Sequence, residues 1–446
     1  MNSAAGSEQS LDAFLAAEAD AIASACTRCG KCVEVCPVVP FSQAAGADPA
    51  DVARGVADFL GVGTAMSGAA GGWLSSCNGC GECIPACPEQ VNPRRMLMLA
   101  ATRDAAATSK TPELFRRMTR AIKVMAAMQL VPEEFARLLV PPRPRDADVV
   151  FYLGCNALRT PHLIFNTMHV LDALGVDYDV VGGPSSCCGV ISTKWEGSIA
   201  TGERVSRNTI SRFGGFKPEK VLNWCPTCQL HLGETLKGFH RTEFEFDHIT
   251  EFLVSREEDL IRQYRAPVRR RAVLHTHAGC AEIGGAVERL MRAIPGLELV
   301  ESVVESGYTC GGSGCGKAPQ LAAIEHAALL DRARQTKADT LITLYHGCHA
   351  TFAGAAKERE FDVLNFTDVL VEAIGGIPHR DLLKSYKLSG DWEWIVAQAQ
   401  PLLRANGIEL SDDWLKKFGP EIFASAEFRG GLDCFGSTPP GSDDRR

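Results

Sequence analysis

Apolar positions divide the chain into two regimes. From Leu11 to Ala25, alanine and larger apolar residues recur at helical spacing and predict an amphipathic helix. Further helices are expected over 51–60, 94–107 and 112–139, the last broken at Pro132. The glycine-rich stretch 61–72 predicts a loose connector. Within 112–139, Phe115, Met118, Ile122, Met125 and Met128 share one helical face and are expected to pack beneath the loops that precede them.

Beyond Pro141-Pro142-Arg143-Pro144, a stiff linker, the pattern changes. Val149 to Leu153 is a short continuous apolar run, followed by a helical stretch and then by Tyr178 to Val181. This rhythm of strand, helix and strand predicts a parallel sheet with helices on its faces. The region is also duplicated. Leu153-Gly154-Cys155 answers to Ala278-Gly279-Cys280, Cys187-Cys188-Gly189 to Thr309-Cys310-Gly311, and Cys225-Pro226-Thr227-Cys228 to Tyr345-His346-Gly347-Cys348, at a near-constant offset of about 120 residues.

The expected fold class is α+β, a helical domain followed by two α/β modules with small parallel sheets. The expected divisions are a first domain over 1–100, a helical linker over 101–145, modules over 146–265 and 266–375, and an extension over 376–446. In that extension helices are expected at 392–403 and around 414–418, with disorder from 436 to 446.

Cysteine supplies the chemistry. Of 18 cysteines, eight lie in two copies of one pattern, Cys26-x-x-Cys29-x-x-Cys32-x-x-x-Cys36-Pro37 and Cys77-x-x-Cys80-x-x-Cys83-x-x-x-Cys87-Pro88. Three thiolates at that spacing reach three corners of a [4Fe-4S] cube from one loop. In two-cluster ferredoxins the cysteine before proline ligates the other cluster. On that rule one cluster takes Cys26, Cys29, Cys32 and Cys87, and the other takes Cys77, Cys80, Cys83 and Cys36. Gly30, Gly79 and Gly81 are expected where side chains would crowd the cluster. A zinc knuckle would instead want two ligand pairs.

The remaining composition narrows the function. A net charge of −8 over 446 residues argues against nucleic-acid binding. The first ten residues lack the basic and apolar regions of an export signal, and no run reaches the roughly eighteen apolar residues of a membrane span. A cytoplasmic location is expected, with a peripheral place on the inner face of a membrane as the alternative. Gly311 to Ala318 nearly spells a phosphate-binding loop but lacks the terminal hydroxyl. With no dinucleotide fingerprint, no flavin or NAD is expected on this chain. Lys194, Trp195 and Glu196 are expected to open a helix capped by Ser192 or Thr193, and Cys434 is expected to be a free thiol.

The pattern Cys155-x31-Cys187-Cys188-Gly189-x35-Cys225-Pro-Thr-Cys228 resembles the cysteine-rich CCG domain of heterodisulfide reductase catalytic subunits. Over residues 20–375 the chain resembles their fused form, a two-cluster ferredoxin domain followed by two CCG modules. That arrangement also occurs in the iron–sulfur subunits of glycolate oxidase, lactate-utilisation and anaerobic glycerol-3-phosphate dehydrogenases. The resemblance implies that Cys155, Cys187, Cys188, Cys225 and Cys228 hold a noncubane [4Fe-4S] cluster.

The second module departs from the family pattern, because Thr309 and Tyr345 replace two cysteines. Cys280, Cys310 and Cys348, with Cys315 nearby and His277, His346 or His349 as outside candidates, imply either a further iron–sulfur cluster or a site reduced to structure. The implied function is electron relay between a flavoprotein dehydrogenase or electron-transfer flavoprotein and a quinone or other carrier, with a membrane subunit as a further partner. The alternatives are disulfide reduction at the first module and a non-redox scaffold.

Overall fold

The computed structural model describes residues 9–108, 113–310, 318–358 and 361–424. Cys315, Cys434, the near-phosphate loop over 311–317 and the tail from 436 lie outside them.

Helix Leu11–Ala25 forms as its periodicity predicts, with Ser10 Oγ accepting from the Ala13 amide, and it delivers the chain to Cys26. The first cysteine loop is followed by helix Pro49–Val62, capped by the Asp48 carboxylate. The connector expected over 61–72 is only partly a loop. Ser67 Oγ accepts from the Ala70 amide and opens helix Gly68–Ser76, in which Trp73 is fully buried. Burial of the tryptophan outweighs the low helix propensity of the glycines around it.

Helices Pro93–Thr108, Leu114–Ala127 and Pro132–Leu139 follow, with Pro132 at the first helical position, where its missing N–H is harmless. Met118, Ile122, Met125 and Met128 are buried as expected, but their cover differs from the expectation. Helix Leu114–Ala127 packs on the turn Asn156–Arg159 that follows Cys155, on the turn Ile191–Trp195 that follows Cys188, and on helix Trp392–Ala405.

Each module is a four-stranded, all-parallel sheet. The first contains β1 (Val149–Gly154), β2 (Tyr178–Gly182), β3 (Lys220–Asn223) and β4 (Glu245–His248) in the order β2-β1-β3-β4. The second contains β5 (Arg270–His277), β6 (Leu297–Glu305), β7 (Thr340–Thr343) and β8 (Asp362–Asn365) in the order β6-β5-β7-β8. The two orders are the same once strands are matched, so the sequence repeat is also a repeat of topology.

The modules pack as a pseudo-twofold pair. The helix after the first strand of one lies against the helix after the last strand of the other: Pro161–Ala173 on Phe366–Ala373, and Ile249–Ser255 on Ala281–Arg292. Both fourth-strand helices start from a buried polar cap, His248 in one module and Asn365 in the other, with Glu251 and Asp368 returning hydrogen bonds to the cap amides. Trp224 stacks on Phe366 across the interface, with centroids 5.8 Å apart.

The extension is part of the body. Helices Leu382–Ser389 and Trp392–Ala405 cover the methionine helix, and the buried Tyr386 hydroxyl donates to the Met128 carbonyl at 2.7 Å. Tyr386→Phe should therefore lower stability by about 1–2 kcal/mol, read as a lower urea midpoint at unchanged slope. An unchanged midpoint would mean that this contact does not tie the extension down.

Candidate iron–sulfur sites

Each cysteine loop of the first domain turns on left-handed glycines: Gly30 has φ +79, Gly79 +78 and Gly81 +82. At Gly30, a Cβ would lie 2.6 Å from the backbone of Pro49 and Ala50; at Gly81, it would lie 2.9 Å from the Arg94 guanidinium. These glycines admit neighbouring protein rather than only making room for sulfide. The last cysteine of each loop lies near the other loop's cysteines. Cys26 and Cys32 both lie within electrostatic reach of Cys29 and Cys87, and Cys80 and Cys83 of Cys77 and Cys36.

The two groups differ in depth. In the first, Cys29 is exposed, Cys26 and Cys87 are half-buried and Cys32 is buried; in the second, Cys36 is half-buried and Cys77, Cys80 and Cys83 are buried. Burial pushes the Cys32 and Cys80 thiols up to about 12 and Cys83 higher still. Trp73 donates its indole N–H to Cys36 Sγ at 3.3 Å, a hydrogen bond of the kind that tunes a cluster's potential.

In the first module the cysteines follow the carboxyl ends of three parallel strands, where open α/β sheets bind ligands. Cys155 follows β1, Cys187 and Cys188 follow the turn after β2, and Cys225 and Cys228 start the helix after β3. All five are buried and hydrogen-bond to one another. Cys187 is held low chiefly by Cys155 and Cys225 by Cys228, while Cys155, Cys188 and Cys228 are held well above the ordinary thiol range. Five thiolates cannot coexist in this pocket without cations, and an iron–sulfur core held by them would supply that charge.

Two further features fit this group. Gly154 has φ +67, and a Cβ there would fall 2.7 Å from Cys225 Cβ and 3.0 Å from Cys228 Sγ. Only glycine leaves the space between the strand end and the sulfurs. The Tyr152 hydroxyl, fully buried, lies 3.5 Å from Cys228 Sγ.

The residues after Cys188 do not open a helix as expected. Ile191–Trp195 is a π-helical turn, and the helix begins at Ile199 after Ser198. Lys194 is buried with Nζ 3.1 Å from Met98 Sδ, and Glu196 accepts from the Phe115 amide at 2.8 Å. These contacts dock the turn on the helices after the second cysteine loop, which sequence spacing could not reveal.

The second module divides its candidates. Cys310 and Cys348 meet His275 and His277, with all four ligand atoms within 4.8 Å of one another. Cys280 stands apart, against Tyr345 and with Sγ 3.6 Å from the Tyr308 carbonyl. His349 lies 2.6 Å from the Asp381 carboxylate, and His346 faces Arg159; neither joins the sulfurs. His275 was not among the sequence candidates. Its alternation with His277 along β5, which puts both on one face of the strand, was the available signal.

The three parts meet at Arg94. Its guanidinium donates to the carbonyls of Gly79 at 3.1 Å and Gly279 at 3.0 Å, and pairs with Glu234. It therefore joins the second cysteine loop to both modules. Asn78 adds a carbonyl accepting from the Tyr308 amide at 3.0 Å and a side chain donating to Ser306 at 3.1 Å. Arg94 and Arg95 at the start of a helix, where the dipole disfavours cations, were the sequence signal for an outside partner. Beside Arg94 opens a cleft of about 460 Å³ that reaches Cys80, Glu234, Cys280 and Tyr308.

Comparison with known proteins agrees with this arrangement. Residues 22–92 match a 4Fe-4S dicluster domain, and residues 149–233 and 274–353 each match a cysteine-rich domain. The chain is similar to a dihydromethanophenazine:CoB–CoM heterodisulfide reductase subunit of Methanosarcina acetivorans, 25% identical over 389 residues, covering 78% of this chain and 92% of that one. It is similarly related to the same reductase subunit of Methanosarcina mazei, 25% identical over 398 residues with 78% and 93% covered. A fumarate reductase (CoM/CoB) subunit of Methanothermobacter marburgensis is 24% identical over 379 residues, with 77% and 71% covered. The chain thus joins a 4Fe-4S dicluster domain to two cysteine-rich domains, is similar to heterodisulfide reductase subunits, and carries [4Fe-4S] clusters, a noncubane one among them. No helix among the described residues is long and apolar enough to cross a membrane.

Gly154→Ala should cost the protein about four irons per chain while the first domain keeps its clusters. Gly175→Ala, at φ +66 with nothing within 4 Å of its Cβ, carries the same backbone strain without the clash and should keep all its iron. Equal iron loss in both variants would mean that strain, and not space at the sulfurs, governs loading.

Proposed function

We propose that this chain is the electron-transfer subunit of an oxidoreductase. It takes electrons from a flavin-dependent dehydrogenase or electron-transfer flavoprotein and passes them toward a quinone or another carrier. Cys26, Cys29, Cys32 and Cys87 hold the entry cluster; Cys77, Cys80, Cys83 and Cys36 hold the next; Cys155, Cys187, Cys188, Cys225 and Cys228 hold the noncubane cluster. The supporting observation is the gradient of depth, from exposed Cys29 to the buried loop of Cys80 that Arg94 fastens to both modules.

The chain's own residues perform the positioning on this reading. The glycine turns set the loops, Trp73 donates to Cys36, Tyr152 contacts Cys228, and the hydrophobic shell excludes water. A second reading, disulfide reduction, draws on the heterodisulfide reductase relatives and on the cleft beside Arg94. That cleft gives an open approach to Cys80 past Arg94 and Tyr308. The incomplete cysteine set of the second module weighs toward relay.

Cys188→Ala, purified anaerobically, should lose the noncubane EPR signal, keep both signals of the first domain, and deliver electrons to a quinone analogue at least about a hundredfold more slowly. Unchanged iron and EPR would refute the ligand assignment. Turnover of a thiol disulfide by the unmodified chain with reduced viologen, without quinone reduction, would replace relay by the second reading.

A further inference from the structure

We propose that the second module holds a single zinc ion, bound by His275, His277, Cys310 and Cys348, where the first module holds a cluster.

The sheet register shows how one site became the other. Phe151 lies against Leu222 in the first sheet as Leu274 lies against Ile342 in the second, so His275 takes the place of Tyr152 and His277, not the Gly279 that the cysteine repeat matches, takes that of Gly154. In the first module Tyr152 offers a phenol to the Cys228 sulfur, and Gly154 leaves the space that the neighbouring sulfurs need. In the second, both positions carry imidazoles. The His277 ring enters the volume that Gly154 keeps open, and Tyr345 replaces a cysteine on the facing helix. That volume no longer admits a five-cysteine cluster.

What remains suits one ion. His277 Nε2 lies 3.3 Å from Cys348 Sγ and 3.5 Å from Cys310 Sγ, and His275 Nε2 lies 3.8 Å from Cys310 Sγ. Two ligands of a tetrahedral zinc, at about 2.3 Å for sulfur and about 2.0 Å for nitrogen, stand about 3.6 Å apart. His275, His277 and Cys348 are at most 1% exposed. The Nδ1 atoms of both rings are buried without a hydrogen-bond partner.

Glu305 lies 3.0 Å from His275 Nε2, the nitrogen that also faces Cys310 Sγ, and 3.4 Å from His326 Nε2, so an ion at His275 would displace this contact and leave the carboxylate to His326. Two sulfurs and two nitrogens in a closed tetrahedral set select zinc or an iron–sulfur centre. Mutual approach of all four donor atoms within 4.8 Å favours one ion over two irons with separate ligand pairs. With four protein ligands the ion has no open position, so it serves structure. It joins β5, the segment after β6 and the helix after β7 at the edge facing Arg94. This assignment concerns the second module and does not depend on the relay reading.

The full chain, purified anaerobically from zinc-containing medium, should carry one zinc per chain beside its iron. Zinc K-edge absorption of the unmodified protein should give two sulfurs at about 2.3 Å and two nitrogens at about 2.0 Å. His277→Ala and Cys348→Ala should each weaken zinc retention against a chelator by at least about tenfold, with iron unchanged. Cys188→Ala should lose iron and keep zinc, separating this proposal from the first-module assignment. Cobalt substituted during growth should show the intense visible bands of a thiolate-bound tetrahedral ion. Absence of zinc, zinc without sulfur ligands, or iron loss on Cys348→Ala would overturn the proposal. The absorption measurement needs no variant, so misfolding of a mutant cannot rescue it.

Discussion

Charge at buried sulfur is the constraint on which this structure rests. Hydrogen bonds from neighbouring cysteines, and burial behind them, push three of the five first-module thiols up, while hydrogen bonds received from their neighbours hold Cys187 and Cys225 low. So many thiols buried together form a site that a multiply charged metal centre would neutralise. Folding and cofactor loading are therefore one equilibrium in these regions, because every thiolate formed at the cluster is a proton released to solvent. The backbone serves that equilibrium by bringing three strand ends to one point and withholding a side chain at Gly154.

Parallel sheets give two such points, and the pseudo-twofold packing turns both toward the first domain. Arg94 is the mechanical centre of this arrangement, because one planar group satisfies two carbonyls from different domains and a carboxylate from a third segment. Its fork geometry fixes orientation as well as distance. The second cysteine loop is consequently tied to both modules, whereas Cys29 of the first faces solvent.

Much of this was legible in the sequence. Cysteine spacing announced the crossing loops, and the repeat announced two modules of like topology, because ligand spacing and strand rhythm are local properties. The misread elements depended on distant partners. The helix at Gly68–Ser76 exists because Trp73 is buried, the methionine stripe turned toward Tyr386 and the turn after β1, and Lys194 was drawn to Met98 rather than to a helix start. His275 was overlooked because it lies before the cysteine motif, and its proximity to Cys310 comes from strand pairing. Arg94 is a similar case: its partners Gly79, Glu234 and Gly279 are scattered along the chain.

The stacking of Trp224 on Phe366 bears on how the protein is made. The first module's five cysteines have all left the ribosome by Cys228, but the aromatic lid beside Cys225 is completed only when the final strand of the second module emerges. Until Phe366 has been made, the buried face of Trp224 lacks this cover, so the first module reaches its final packing only after the second has been synthesised.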